Sequence, residues 1–152
     1  MGQTMISISI AEMDVMRAHV EAGYPHEACG VLVGEMGDGP DSHKRVAYAV
    51  PVKNAWTSEA GDAHDLRDRY SIAPEDIVRI DREAGKRGLD IIGFFHSHPD
   101  WPSTPSQTDR EWAWPVVSFV IISVRGGAVH SAQSWILNDD RAAFEEENMV
   151  VT

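Results

Sequence analysis

The sequence predicts an α+β fold, with a mixed sheet rather than a doubly wound one. Three observations carry this. Two helical periods stand beside hairpin patterns instead of alternating regularly with strands. Two strongly apolar runs, LDIIGFFH and VVSFVIISV, are long enough to be central strands. The chain of 152 residues is the size of a single domain, and a domain of that size buries roughly 70% of its unfolded surface without needing staples. Residues 1–152 are therefore expected to form one domain.

Taken in order, Met5 to Ile10 (MISISI) alternates polar and apolar residues and predicts a first strand. Residues 11–22 place Met13, Met16 and Val20 on one helical face, and Gly23 and Pro25 end that helix. Ala28 to Val33 (ACGVLV) has the pattern of a buried strand closed by Gly34. The stretch EMGDGPDSHK is a turn-rich hairpin connection, and Arg45 to Pro51 is its return strand. Residues 53–70 are polar without a period and predict a long surface loop of the kind that lines functional clefts. Pro74 opens a helix that runs to Arg87, with Ile77, Ile80 and Ala84 on its apolar side and Gly88 as its stop. Leu89 to His96 and Val116 to Val124 are the two apolar strands. Gly126-Gly127 turns the second into a partner at Ala128 to Leu137. The tail from Arg141 to Val151 is expected to be a further strand.

Bulk properties narrow the function. A net charge of -11 disfavours a nucleic-acid binder and an anionic membrane surface alike, and suits solubility or a partner with a basic patch. No apolar run approaches the roughly 18 residues of a membrane span. The start MGQTMISISIAEMD lacks the regions of a secretory signal. The single cysteine, Cys29, cannot form an intrachain disulfide, which fits a cytoplasmic setting. Its place on an apolar strand makes it a buried, inert thiol rather than a nucleophile.

The informative stretch is His96-Ser97-His98-Pro99 followed, after a short loop, by Thr104-Pro105-Ser106-Gln107-Thr108-Asp109. Two histidines at i and i+2 on a strand end project to the same side, their Cα atoms roughly 6.5–7 Å apart. Both imidazoles can then converge on one ion at about 2.0–2.1 Å. Ser97 between them points the other way and is structural. Thr104 as N-cap, Pro105 at N1 and Gln107 at N3 match a helix start. Ser106 and Asp109, three apart, share a face of that helix. The loop can fold this face back over the strand end, so that Asp109 completes a site with His96 and His98 and Ser106 sits beside it. Ser106 on its own reads equally as a stabiliser of the helix end. Two histidines and one carboxylate leave a zinc ion one open position, the catalytic rather than the structural pattern. A general base is still needed, and composition does not choose it among 24 acidic residues.

Glu27, then His96-Ser97-His98-Pro99, seven residues, Ser106, two residues and Asp109 resembles the signature of the JAMM (MPN+) metalloproteases. The resemblance implies Glu27 as general base, ahead of a glycine-closed strand as in HEACGVLVG. It implies His96, His98 and Asp109 as ligands of one zinc ion with a catalytic water, and Ser106 as a support for the oxyanion. It covers about Ile8 to Val150. It is closest to the stand-alone prokaryotic branch, on the run TDREWAWP and the later Ser134-Trp135. That branch implies a curved mixed β-sheet flanked by helices (the MPN/JAB fold, cytidine-deaminase-like). It also implies hydrolysis at the Gly-Gly end of a ubiquitin-like or sulfur-carrier protein. The alternatives are an MPN-like module that docks such a partner without cutting it, or a deubiquitinase-like isopeptidase. The sequence leaves the oligomeric state and the substrate's name open. His19, His26, His43, His64 and His130 fit no ligand spacing, although His26 abuts Glu27 and could tune it. Trp101 lies in the loop beside the ligands. A metallo-β-lactamase would need Asp and His soon after the second histidine, and Pro99-Asp100-Trp101 offers no such pair. A zinc deaminase would need a cysteine pair.

Overall fold

The computed structural model describes residues 4–37, 42–58, 63–137 and 143–152. Its elements are β1 (Met5–Ile8), α1 (Ile10–Gly23), β2 (Cys29–Glu35), β3 (His43–Val52), α2 (Pro74–Lys86), β4 (Asp90–Pro99), α3 (Gln107–Trp112), β5 (Ser118–Arg125), β6 (Ala128–Leu137) and β7 (Phe144–Val151). The fold is mixed α+β, as the sequence predicts. The strands run in the order β1-β3-β2-β4-β5-β6-β7, and the curved sheet closes on itself because β1 also pairs with β7. Pairing is parallel at β1–β3, β1–β7 and β4–β5 and antiparallel elsewhere.

Alternation along the strands divides the interior. Ala28 and Leu32 of the β2 region pack with Met13, Met16 and Val20 of α1, together with Phe95 and Ile122. Cys29, Val31 and Val33 point the other way, toward Ile80 and Ala84 of α2 and the Phe94–Phe119 pair. Each face buries aliphatic side chains completely, at roughly 1.5–3 kcal/mol apiece. Gly30 is required where β2 crosses Phe95, because a Cβ there would collide with the ring and with the Val50 carbonyl.

Several boundaries differ from expectation, among them the end of β4, at Pro99 rather than His96. The first strand ends at Ile8 rather than Ile10, because the Ser9 hydroxyl accepts from the Glu12 N–H (3.2 Å) and caps α1. The second apolar strand begins at Ser118 rather than Val116, where Val116 takes a positive φ of 81°. The helix expected to start from Thr104 starts two residues later, with Ser106 as its N-cap. Both T-P-S-Q and S-Q-T-D are capping patterns. The second wins because Ser106 and Asp109 satisfy each other's backbone N–H groups. The tail is a strand, as expected, and β7 is what closes the sheet. The middle of the hairpin connection (38–41), part of the long loop (59–62) and the start of the tail (141–142) lie outside the described residues.

The parallel pairing of β4 with β5 positions the site. A parallel neighbour cannot be reached by a hairpin, so residues 100–117 must travel back along the strands from the end of β4 to the start of β5. α3 lies in that return and passes the end of β4.

Candidate metal centre and active site

His96 and His98 are on β4 and face the same side, both buried. Ser97 faces the opposite way, where its hydroxyl accepts from the Ala28 N–H (2.8 Å). That bond ties the strand end to the segment carrying Glu27. Asp109, at the third position of α3, has its carboxylate oxygens 3.1 Å from each imidazole Nε2, and the two Nε2 atoms are 3.1 Å apart. The structure thus brings together the three residues that sequence spacing pairs.

This donor set fits a small divalent ion. Tetrahedral ligands about 2.0–2.1 Å from zinc lie about 3.3–3.4 Å from one another, close to the spacing here. The His98 Nδ1 donates to the Pro102 carbonyl (2.8 Å). This leaves its Nε2 lone pair directed at the cluster, as a ligand requires. The His96 Nδ1 is buried without a hydrogen-bond partner among the described residues. Its ring is held instead by Tyr70, stacked at 4.4 Å between centroids. Burial lowers the His96 pKa and keeps that imidazole neutral, outweighing the pull of Asp109. At His98 burial acts in the same direction, but the hydrogen bond and charge of Asp109 outweigh it and raise the pKa. Burial disfavours charge on Asp109 too, yet the two imidazoles hold its carboxyl well below the usual range. A buried carboxylate facing two imidazoles is the electrostatic setting of a cation site.

Glu27 is 8% exposed and lines a cavity of about 220 Å³ together with Ser106 and Asp109. Burial pushes its carboxyl up to about 8. The nearby charges of Asp109 and Asp68 add to this, while His98 and Arg69 oppose it. Its backbone is fixed from the long loop: the Glu27 N–H donates to Leu66 (2.7 Å) and Asn54 Nδ2 donates to the Glu27 carbonyl (2.9 Å). Ser106 is exposed. Its oxygen accepts from the Asp109 N–H at 3.1 Å, which leaves the hydroxyl hydrogen unspent. Cys29 is fully buried and its thiol is pushed up to about 12 by burial, which makes it inert.

The loop expected to line a cleft does so in its described parts, through Trp56, Asp68, Arg69 and Tyr70. Trp101, 66% exposed, lines a second cavity with His98, Pro102 and Ser106. Sequence reasoning missed Tyr70 and Asn54. Asn54 holds the two ends of the loop together by donating to the Glu27 and Arg69 carbonyls and accepting from the Trp56 and Ser71 N–H groups. An asparagine inside a polar, aperiodic stretch carries no local signal of that role. β4 is paired on both sides up to His96, by β2 and β5. Beyond His96, β5 alone among the described strands continues beside β4, as far as Pro99.

A His-x-His strand end on a closed mixed sheet, completed by an aspartate from the crossover helix, places the molecule among the JAMM-type hydrolases. A family model described as prokaryotic homologs of the JAB domain matches residues 10–138, and the chain belongs to that family. It is 34% identical over 131 residues to a desampylase of Haloferax volcanii, covering 83% of this chain and 86% of that one. It is 29% identical over 142 residues to a CysO-cysteine peptidase of Mycobacterium tuberculosis, covering 91% and 86%. A Desulfitobacterium hafniense protein of known solution structure superposes with a TM-score of 0.78 at 29% identity, covering 97% of this chain and 92% of that one. Among the described residues no helix is long and apolar enough to cross a membrane.

Proposed function

We propose that residues 1–152 act as one zinc-dependent peptidase domain that hydrolyses the bond following the Gly-Gly end of a ubiquitin-like or sulfur-carrier protein. The observation that carries this reading is the convergence of His96 Nε2, His98 Nε2 and the Asp109 carboxylate at 3.1 Å beside the buried carboxylate-lined cavity. The named activities of the Haloferax and Mycobacterium relatives support the substrate class.

His96, His98 and Asp109 would hold the ion. Bound there, zinc supplies Lewis acidity, which acidifies water and polarises a carbonyl. The chain's own residues do the rest. Glu27 accepts a proton from the attacking water as its oxygen bonds to the scissile carbonyl carbon. Glu27 then returns that proton to the departing nitrogen as the C–N bond breaks. One water is consumed, giving a carboxylate and an amine. The Ser106 hydroxyl, its oxygen already anchored by the Asp109 N–H, donates its hydrogen to the oxyanion. Tyr70 covers His96 and keeps water from that side of the cluster. A glycine tail suits the cavity beside Trp101 and Pro102, since it has no side chain to clash. A single unreactive cysteine supports a cytoplasmic setting.

The test is cleavage of a purified carrier extended beyond Gly-Gly, with mass spectrometry of the products. Zinc-dependent scission directly after the second glycine is the expected result. A zinc-loaded protein that binds the carrier and leaves it intact contradicts the reading, and would make the domain a docking module.

A further inference from the structure

The apolar cavity is left over once a glycine tail occupies the second cavity. Its wall is Trp56, Tyr70, Ile77, Phe94, Trp114 and Phe119, and it meets the second cavity along Glu27, Asp68, Arg69, Ser106 and Thr108. The reacting carbonyl must lie at that seam, because Glu27 and Ser106 do. If the glycine tail takes the second cavity, the apolar one belongs to whatever leaves.

Charge specifies the rest of the leaving group. The seam is acidic at Glu27 and Asp68, and Asp109 also faces the apolar cavity. Apart from the ligand His98, Arg69 is the sole basic side chain among the described residues lining either cavity. Its guanidinium is little engaged. It donates to the carbonyl of its neighbour Asp68 (2.8 Å) and approaches the Asp68 carboxylate only to 3.8 Å. That carboxylate is already taken by His64 Nδ1 (2.7 Å) and the Asp65 N–H (3.1 Å). Among the described residues most of the guanidinium's N–H donors have no partner, at a side chain 25% exposed beside the reacting position. A planar guanidinium of this kind matches a carboxylate.

Resting on the proposed peptidase reading, we propose that Arg69 and the apolar cavity together form the pocket for the departing residue. That residue is a C-terminal amino acid, with a bulky apolar side chain in the cavity and a free α-carboxylate on Arg69. The bond cut is then a linear peptide bond. A lysine ε-amino leaving group within a protein offers neither a carboxylate nor an apolar side chain at those positions. The departing amino acid takes the proton returned by Glu27, and water's oxygen stays on the glycine carboxyl.

The test uses the zinc-loaded full chain and four peptides sharing one Gly-Gly tail. One ends in Phe as the free acid, one in Phe amide and one in Asp, and one is joined through the ε-amino group of a capped lysine. The free-acid Phe peptide should exceed the amide by about 10- to 100-fold in kcat/KM, as loss of a charged hydrogen bond implies. Arg69→Ala and Arg69→Gln should each collapse that ratio toward one. Quenching of tryptophan fluorescence by phenylalanine, but not by phenylalaninamide, should follow the same pattern without catalysis, since Trp56 and Trp114 line the cavity. Equal rates for acid and amide, an equal loss on both in the Arg69 variants, or a faster isopeptide would overturn the inference while leaving the peptidase reading intact. Cleavage of none of the four would overturn that reading itself.

Discussion

Replacing Glu27 by Gln keeps the shape of the side chain and removes its charge, so it separates proton transfer from metal binding and from packing. The carboxyl is pushed from 4.5 to about 8 by burial. At pH 7 only about one molecule in ten of the metal-free protein carries the ionised form. Because the folded pKa is raised, the folded state binds this proton more tightly than the unfolded one. No penalty exists below pH 4.5, where both states are protonated. The penalty grows as the pH rises and is complete above pH 8, where it reaches on the order of 5 kcal/mol at about 1.4 kcal/mol per pH unit. Metal-free wild type should therefore lose stability between pH 5 and 8 relative to Glu27→Gln, as read from urea midpoints of the two proteins across that range. A bound divalent cation beside the carboxylate lowers its pKa and should shrink the difference. In the zinc-loaded protein the same substitution should retain the metal and reduce kcat by about 10²–10⁴-fold. Parallel pH–stability curves for the two metal-free proteins would refute the burial argument, and full activity in Glu27→Gln would refute the proton-transfer role.

Four further outcomes follow from the same geometry. Asp109→Ala leaves two imidazoles without their carboxylate and frees the α3 cap, so zinc content measured after dialysis should fall from about one per chain to near zero. Ser106→Ala should cost about 0.5–2 kcal/mol through loss of the cap. It should also lower kcat by about 10²–10³-fold with KM little changed, whereas Ser106→Thr should restore stability. Asn54→Ala removes the bonds holding both ends of the long loop and should destabilise by about 2–4 kcal/mol, with faster hydrogen exchange at Trp56 and Ser71. Glu147 is buried with Lys44 (3.4 Å) and accepts from the Ser118 and Ser134 hydroxyls. Glu147→Ala strands the lysine charge and should cost about 3–5 kcal/mol in denaturant melts.

The parts of this molecule that repeat a local period were legible in the sequence. β6 and α2 fall within a residue of expectation, because alternation, Pro74 and the Gly88 stop are local signals. The convergence of His96, His98 and Asp109 was legible for a different reason: two of the residues sit on one strand and the third follows by a loop too short to go elsewhere. The α3 start was misplaced because Thr104 and Ser106 are both competent caps, and only the reciprocal bonds with Asp109 decide between them. Closure of the sheet through β1 and β7 was not legible, since it depends on two distant strands pairing across the whole chain. The roles of Tyr70 and Asn54 were hidden for the same reason. Each acts on a residue brought near by the fold, and a polar loop of 18 positions in sequence does not single them out.

His96, His98 and Asp109 are proposed to hold one zinc ion together, with a position left for solvent. X-ray absorption at the zinc edge of the purified, zinc-loaded chain tests it most directly. The expected result is one zinc per chain with two imidazole nitrogens and oxygen ligands at about 2.0–2.2 Å. A sulfur ligand at about 2.3 Å, a third imidazole, or a signal that persists unchanged in Asp109→Ala would contradict it.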